Sequence, residues 1–241
     1  MKDGAVWRWI SYLALMLLGG LAAVLLAGGE TPAEETAALA AQEVTVVIDP
    51  GHGGEDGGAV SADGVVESGV NLAIARRVDA LLTLCGRRTE MLRTEDVSLH
   101  DGDAATLWEK KVSDIHNRVR RVNELPNPRL ISIHQNHFTS SRYCGAQVFY
   151  ANGPLSQPWA EQTQAALRAG LDPENRRASK PIDHNVYLMN HITCPAILVE
   201  CGFLSNPEEC RKLTDAAYQT RLAVVIGGAY LQCEAAGLLP N

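Results

Sequence analysis

The sequence predicts a single α/β domain in which apolar strands alternate with amphipathic helices. The unbroken apolar run from Val44 to Ile48 indicates a strand buried on both faces. Asp49-Pro50-Gly51 ends this run, because proline removes a backbone donor and glycine permits a positive φ. Helical and strand-like patterns then follow one another along the chain without an internal repeat. In open α/β sheets, sites form outside the carboxyl ends of strands, so we expect the functional residues there.

Length, charge and cysteine content narrow the class of protein. The 241 residues suffice for one domain with a sizeable core, once an N-terminal leader is set aside. A net charge of −7 and the lack of a basic stripe with interleaved aromatics argue against a nucleic-acid partner. The six cysteines form no Cys-x-x-Cys pair, so buried thiols or one or two disulfides are expected rather than a cysteine metal site.

Residues 1–43 have the pattern of a leader and linker. Lys2 and Arg8 precede an apolar run from Ile10 to Gly29, and about 20 apolar residues are enough to cross a bilayer. The segment is either a signal peptide, with a cleavage site near Ala38-Leu-Ala40, or an uncleaved membrane anchor, which the length of the run favours. In both cases the folded domain, predicted at residues 44–236, would lie outside the cytoplasm.

His52 follows the first strand in a glycine-flanked loop, where its imidazole is available as a ligand or a base. Helical spacing of apolar residues from Val70 to Leu82 places Glu67 at the N-terminus of the first helix. Spacing alone favours Glu67 as a solvent-exposed capping acid. However, the helix of a βα unit begins at the carboxyl edge of the sheet, so the alternative is a glutamate close to His52.

A second histidine ends another predicted strand. Residues 88–92 predict a strand, residues 107–125 a helix, and Leu130 to His134 a third strand. Two histidines at strand ends, with an acid at the start of a connecting helix, predict a metal site with an open position. His137 is the rival ligand, but alternation along the strand favours His134.

The last third of the chain supplies a further acid at the same edge. Pro195 to Gly202 predicts the last core strand, and Glu200 near its end is costly to bury unless it is paired or used. The alternatives are an ion pair with an arginine and a base beside the metal site. Before this strand, the sequence predicts a strand at 145–151, a helix at 156–170, an irregular stretch at 172–185 and a short strand at 186–189. After it, we expect a helix from Asn206-Pro207 and a closing helix at 215–234. His116, His184 and His191 are expected on the surface.

Four blocks carry these residues: Asp49-Pro-Gly-His-Gly-Gly54, Glu67 with Asn71, Ser132-Ile-His-Gln-Asn136, and Val199-Glu-Cys-Gly-Phe-Leu-Ser-Asn206. In this order they resemble the signature of the zinc-dependent N-acetylmuramoyl-L-alanine amidases of the amidase-3 family, and the resemblance covers about residues 44–234. One block alone is weak evidence, whereas four in register are specific.

The resemblance implies that His52, Glu67 and His134 hold Zn²⁺ and that Glu200 is the catalytic acid/base. It also implies a twisted, mostly parallel six-stranded sheet flanked by helices, of the phosphorylase/hydrolase-like type. The bond to be cut joins the lactyl group of N-acetylmuramic acid to L-alanine in the stem peptide of peptidoglycan. Asp49 and Asn136 would then shape the loops, and a hydrogen bond to a ligand histidine is the alternative role for them.

Within the family, residues 135–138 and the leader-plus-single-domain layout resemble the spore-cortex amidases of endospore-forming bacteria. This implies a role in cortex maturation, through muramic δ-lactam formation, and in germination. The enzyme would then work in the forespore cortex space, held to the membrane by its N-terminal segment or by a lipoprotein partner. His137 and Cys201 stand where many relatives carry other residues, which would bear on substrate preference.

Two other functions fit part of the pattern. One is a different cell-wall zinc hydrolase, such as a peptidase or a deacetylase. The other is a non-catalytic peptidoglycan-binding scaffold on an amidase fold, which the presence of all four expected site residues disfavours. A third interpretation, in which the histidines are incidental, requires four motif matches by chance.

Overall fold

The computed structural model describes residues 43–240. The leader prediction falls on residues outside this range. Within it, no helix combines the length and the apolar character needed to span a bilayer. The strands are β1 (Thr45–Pro50), β2 (Arg88–Met91), β3 (Pro128–Asn136), β4 (Gln147–Tyr150), β5 (Lys180–Pro181) and β6 (Ala196–Phe203). The helices are α1 (Glu67–Leu84), α2 (Leu107–Glu124), α3 (Ser156–Leu171), α4 (Tyr187–His191), α5 (Pro207–Thr214) and α6 (Ala216–Ala235).

The six strands form one sheet in the order β2-β1-β3-β6-β4-β5. All neighbouring pairs are parallel except β4 with β6. This confirms the predicted mostly parallel, six-stranded sheet. The chain leaves β1 towards β2 on one side, while β3 lies on the other, so the strand order reverses between β1 and β3. Such a switch point opens a crevice outside the carboxyl ends of the two strands.

Helices cover both faces of the sheet, which explains why the central strands are apolar throughout. Val46 and Ile48 of β1 belong to the core on the side of α1, α3 and α6. Val47, between them, belongs to the core on the side of α2 and α4. The alternation of a strand thus sends successive side chains into two separate cores.

Helix α2 begins at a capping box. The side chain of Thr106 accepts a hydrogen bond from the amide of Glu109 at 3.2 Å, and the Glu109 carboxylate accepts from the amide of Thr106 at 2.8 Å. Such a cap fixes the first turn of the helix. The start of α2 is therefore well defined, and the residues on its first turns have fixed directions.

The short strand predicted at residues 186–189 is wrong. These residues lead into α4, which packs the buried side chains of Leu188 and Met189 against the sheet. A run of four apolar residues has no period that separates a strand from a buried helix turn. The sheet still has six strands, because an unpredicted strand, β5, lies within the stretch predicted to be irregular and consists of two exposed residues.

All six cysteines are free thiols in the structure. Cys194, Cys201, Cys210 and Cys233 are buried, whereas Cys85 and Cys144 are exposed. The structure therefore corresponds to the buried-thiol alternative, with the thiols acting mostly as small apolar side chains.

Candidate metal centre

The polar residues singled out in the sequence meet at the switch point of the sheet. His52 lies two residues after the end of β1, and His134 lies on β3 near its end. Glu200 on β6 is the register partner of His134. Glu67 is the first residue of α1. Four residues that are far apart in sequence are therefore brought to one edge of the sheet.

The carboxylate of Glu67 lies between two imidazoles. Its Oε2 is 3.4 Å from Nε2 of His52, and its Oε1 is 3.1 Å from Nδ1 of His134. The two imidazole rings meet edge to face, with centroids 5.1 Å apart. One ligand atom from each of the three residues lies within 4.8 Å of the others. Two imidazole nitrogens and a carboxylate oxygen are donors that zinc accepts in catalytic sites, so the residues present fit this ion.

Glu67 is 3% exposed, so the expectation of a solvent-exposed capping acid is wrong. Its Oε2 accepts a hydrogen bond from the amide of Ala59 at 2.8 Å. Its Oε1 accepts from the amide of Gln135 at 3.1 Å and from the side chain of Asn71 at 3.2 Å. These donors come from a loop, a strand and the next turn of α1, and together they fix the orientation of the carboxylate.

The same surroundings keep Glu67 ionised. Burial by itself raises the pKa of a carboxyl group. Here the hydrogen bond and charge of His134, the charge of His52 and the Ala59 amide outweigh burial and lower the pKa of Glu67 to about 2. The site therefore presents a fixed negative charge, which is what a divalent cation requires.

The loop that carries His52 is strained and tightly packed. His52 has a φ of 63°, a left-handed conformation that costs energy for a residue other than glycine. A Cβ on Gly51 would lie 2.1 Å from Cε1 of His134, and one on Gly58 would lie 2.6 Å from Oε2 of Glu67. These two glycines therefore allow the backbone to approach the predicted ligands.

Two buried arginines hold this loop by its carbonyl groups. Arg118 donates to the carbonyl of His52 at 2.7 Å and to that of Pro50 at 3.0 Å. Arg93 donates to Pro50 at 2.9 Å and to the carbonyl of Gly51 at 3.0 Å. These bonds oppose the strain of the loop. Neither arginine could be singled out from the sequence, because each stands among other charged residues that are mostly on the surface.

The charge of Arg118 is compensated by two acids. Arg118 pairs with Asp49, and its Nε lies 2.6 Å from Oδ2 of Asp114. Burial lowers the pKa of Arg118, but the two carboxylates outweigh it, so that the pKa is raised. For the acid Asp49, burial acts in the opposite direction and raises the pKa. Arg118, His134 and the Ser132 hydroxyl outweigh it and lower the pKa below its ordinary value. Asp49 accepts from Ser132 at 2.7 Å, and the alternative of a hydrogen bond to a ligand histidine is not observed.

Asp56, which no sequence pattern singles out, contacts a predicted ligand instead. Its Oδ2 lies 3.0 Å from Nδ1 of His52, and its Oδ1 lies 2.9 Å from Nζ of Lys111. The hydrogen bond with His52 is the main cause that holds the pKa of Asp56 well below its ordinary value. A carboxylate at Nδ1 favours the tautomer that carries its proton on Nδ1 and leaves the lone pair of Nε2 free for a metal ion. This Nε2 faces Glu67.

Glu200 has different surroundings from Glu67. Its Oε2 is shielded from solvent and has no hydrogen-bond partner. Burial raises the pKa of Glu200 to about 7, the charge of Glu67 adds to this, and His134 opposes it. No arginine is among these influences, so the ion-pair alternative for Glu200 is not observed within residues 43–240. A carboxyl group with a pKa near neutrality can both accept and release a proton.

Glu200, His52 and His134 line one cavity of about 230 Å³. Its wall is partly polar and partly apolar, and it includes Lys111, Ile115, Arg118, Leu188 and Met189. Such a lining of apolar surface with a few convergent polar groups is typical of a small-molecule site.

The other histidines lie apart from this cluster. His137, the rival ligand, is exposed and is not among the grouped donors. His116, His184 and His191 are exposed as predicted; the ring of Tyr187 stacks on His191 and contacts His116 at a tilt of 42°. Asn136 extends β3, and its carbonyl accepts from the amide of Leu204 at 2.8 Å.

Comparison with known proteins agrees with this geometry. The family profile described as N-acetylmuramoyl-L-alanine amidase (Amidase_3) matches residues 46–229. The germination-specific N-acetylmuramoyl-L-alanine amidase of Bacillus subtilis (strain 168) is 36% identical over 179 residues, which cover 74% of this chain and 74% of that protein. N-acetylmuramoyl-L-alanine amidase LytC of the same strain is 30% identical over 185 residues, which cover 76% of this chain and 34% of LytC.

Solved structures with the same fold include two amidases. The CwlD amidase from Clostridioides difficile, solved in complex with the GerS lipoprotein, has a TM-score of 0.75 and 34% identity, covering 78% of this chain and 96% of that one. The catalytic domain of CwlV, an N-acetylmuramoyl-L-alanine amidase from Bacillus (Paenibacillus) polymyxa var. colistinus, has a TM-score of 0.65 and 28% identity, covering 79% and 99%.

Proposed function

This chain belongs to the N-acetylmuramoyl-L-alanine amidase family, and from that membership we propose a zinc-dependent mechanism for it. The substrate is peptidoglycan, and the bond cut joins the lactyl group of N-acetylmuramic acid to L-alanine of the stem peptide. His52, Glu67 and His134 hold the zinc ion, and Glu200 is the catalytic acid/base. The catalytic domain spans residues 44–236.

The observation that carries this proposal is that three donors meet at one edge of the sheet, with an unpartnered acid at the wall of a cavity that His52 and His134 also line. The ligand atoms of His52, Glu67 and His134 lie within 4.8 Å of one another. The Oε2 of Glu200 is shielded and lacks a hydrogen bond, at the wall of the same cavity. A buried carboxyl oxygen without a partner is costly, and a site for chemistry explains why it is kept.

When bound, a zinc ion supplies Lewis-acid chemistry: it polarises an amide carbonyl and lowers the pKa of a water molecule. The protein supplies the proton transfer. Glu200, with a pKa of about 7, takes a proton from the attacking water and gives it to the departing alanine nitrogen. A positioned acid/base of this kind contributes about 10²–10⁴-fold in rate.

Other residues position the predicted ligands. Asp56 holds Nδ1 of His52, while Arg118 holds the carbonyl of His52 and Arg93 that of the preceding Gly51. Asn71 and the amide of Gln135 fix Glu67. Catalytic groups held in this way need little rearrangement when the substrate binds.

We further propose a role in the spore cortex. Support comes from the relative named as a germination-specific amidase and from the structural likeness to CwlD. Removal of stem peptides prepares cortex glycan for conversion to muramic δ-lactam, and that cortex is later degraded on germination. Since the CwlD structure contains the GerS lipoprotein, a lipoprotein partner is proposed here as well. Spores that lack this chain would contain no muramic δ-lactam, which muropeptide analysis measures.

As a cell-wall amidase, the enzyme acts outside the cytoplasm. We propose that residues 1–43 serve as a signal peptide or a membrane anchor that leads the catalytic domain there. Extraction of membranes from producing cells, followed by N-terminal sequencing of the protein, separates a cleaved leader from an anchor.

The central experiment is mass spectrometry of muropeptides after purified peptidoglycan is incubated with zinc-loaded protein. The wild-type enzyme should release stem peptides that begin with a new N-terminal alanine. Release of acetate instead would indicate a deacetylase, and cleavage within the stem peptide would indicate a peptidase. No product at all, from a protein that retains zinc, would indicate a scaffold.

Three variants sharpen the result. Glu200→Gln should retain zinc but lose cleavage, whereas His134→Ala should lose both. His137→Ala is the matched control, because it removes an exposed histidine three residues from His134, and it should retain both. Wild-type turnover by Glu200→Gln, or loss of zinc in His137→Ala, would contradict these assignments.

A further inference from the structure

The start of α2 leaves a large aromatic side chain in solvent. Trp108 is 72% exposed, whereas Trp159, the other tryptophan of the described region, is fully buried. Trp108 lies in the first turn of α2, just after the Thr106 cap. An indole is a large, rigid surface that loses little conformational entropy when a ligand covers it.

Trp108 continues the wall of the catalytic cavity outward. Trp108, Lys111, Ile115 and Arg118 are spaced three, four and three residues apart, so they share one face of α2. The last three of them line the cavity that contains His52, His134 and Glu200. Arg118 is buried and Lys111 is half exposed, so the cavity opens towards the N-terminus of α2. Three residues of helix advance about 4.5 Å, which places Trp108 almost one turn beyond Lys111, outside the lining of the cavity.

A shallow groove of about 420 Å³ borders the other side of Trp108. Besides Trp108, its lining contains no lysine or arginine and consists of Asp101, Asp103, Ala104, Glu109, Val112, Ser113 and His116. Asp101 and Glu109 already accept hydrogen bonds within the protein, but each carboxylate keeps lone pairs that can accept from a ligand. Carboxylates and a hydroxyl accept hydrogen bonds from neutral hydroxyl groups, but carboxylates repel other carboxylates. This groove therefore suits a neutral, hydroxyl-rich ring and disfavours a stem peptide with its free carboxylates.

Resting on the proposed function, we infer that Trp108 is a stacking platform for a sugar ring of the glycan strand, adjacent to the muramic acid residue whose amide is cut. The apolar face of a pyranose covers the indole, and the groove binds its hydroxyl groups. The glycan thus runs along the N-terminal turns of α2, which orients the lactyl amide towards the cavity. Trp108 is a specificity residue for polymeric substrate.

Binding of glycan without cleavage tests this inference directly. The probe is glycan strand from which stem peptides have been removed, and the protein is the full chain with Glu200→Gln. We expect Trp108→Ala in this background to weaken binding about 10-fold, and Trp108→Phe to restore at least half of the loss on a logarithmic scale. Leu84→Ala, which trims a side chain that is 84% exposed at the end of α1, is the matched control and should bind as the parent does.

Kinetics give a second readout. For otherwise wild-type protein, Trp108→Ala should lower the ratio of kcat/KM for long glycan strands to kcat/KM for a single muramoyl peptide about 10-fold, mainly through KM. Equal glycan binding by Trp108→Ala and its parent, or no recovery in Trp108→Phe, would overturn the inference. Because the binding measurement involves no cleavage, its failure is distinct from failure of the amidase proposal, which would show as absent products from the wild-type enzyme.

Discussion

Glu67 at the start of α1 and Glu200 on β6 lie near the same two histidines, but their surroundings are opposite in kind. On the α1 side, Glu67 receives hydrogen bonds from amides and side chains, and its pKa falls to about 2. On the β6 side, an oxygen of Glu200 is shielded without a partner, and the pKa rises to about 7. Burial raises the pKa of both carboxyl groups, so it does not explain the difference between them. The difference comes from the hydrogen-bond donors, which Glu67 has and the shielded oxygen of Glu200 lacks. Two acids of the same kind thereby acquire the different charge states that their two proposed roles require.

The largest expected difference is in zinc affinity when the same substitution is made at each glutamate. Glu67→Gln replaces the fixed anion between two histidines with a neutral amide, so zinc affinity should fall more than about 100-fold, beyond the 10–100-fold loss typical of outer contacts. Glu200→Gln should leave affinity nearly unchanged. Zinc titration with a competing chelator measures both, and Glu208→Gln, an exposed glutamate on α5, is the control. Equal affinity in all three proteins would contradict the division of roles.

The His52 loop, unlike Glu200, is held by buried charged contacts, and Arg118 on α2 tests their contribution. Arg118→Met leaves the buried Asp49 without its cationic partner and removes two hydrogen bonds to the His52 loop, so the free energy of unfolding should fall by about 3–5 kcal/mol. Arg120→Met changes an exposed arginine on the same helix and should cost less than about 0.5 kcal/mol. Urea unfolding measures both. Similar losses in the two variants would mean that the pair on the loop side adds no stability.

The pH dependence of stability should differ between the two glutamates in metal-free protein. The pKa of Glu200 is raised from 4.5 to about 7 on folding, so its stabilising contribution is complete below pH 4.5 and lost as pH rises through 7. Relative to Glu200→Gln, the parent should lose about 3 kcal/mol between pH 4.5 and 8. For Glu67, lowered to about 2, stability is lost instead as pH falls from 4.5 to 2. Urea unfolding at several pH values checks both signs, and a parallel course for parent and Glu200→Gln would contradict the first.

The smallest expected effect is at Asp56. Asp56→Asn keeps the shape but removes the negative charge at Nδ1 of His52, so zinc affinity should fall about 10–100-fold with little change in stability. Asp63→Asn, in the exposed part of the neighbouring loop, is the matched control and should match the wild type. An unchanged affinity in Asp56→Asn would assign the orientation of His52 to the arginine contacts alone.

Sequence patterns were sufficient for the parts of the fold that repeat locally. The buried strand before His52, the helix after Glu67 and the strand that ends near His134 follow from apolar spacing. The two-residue β5 has no such signal, because both of its residues are exposed and two residues cannot show an apolar run or an alternation. At residues 186–189, a four-residue apolar run could not distinguish a strand from the approach to α4.

The site was predictable only as far as motifs reach. Exposure of Glu67 was misjudged because spacing describes its own helix, whereas Ala59 and His134 cover it from a loop and a distant strand. Asp56 and Arg118 could not be found for a related reason. Each is an ordinary charged residue until the fold brings it to His52, and that meeting depends on packing rather than on any local pattern.

The absence of a side chain at Gly51 affects how activity can be judged from sequence motifs. Its missing side chain is replaced in space by the ring of His134, which a Cβ would meet at 2.1 Å. A single Gly51→Ala change would displace that imidazole while every chemically active residue remained in the sequence. A chain with this one change would keep His52, Glu67, His134 and Glu200 and still lose their arrangement, so a motif match has to include the residue before the first histidine.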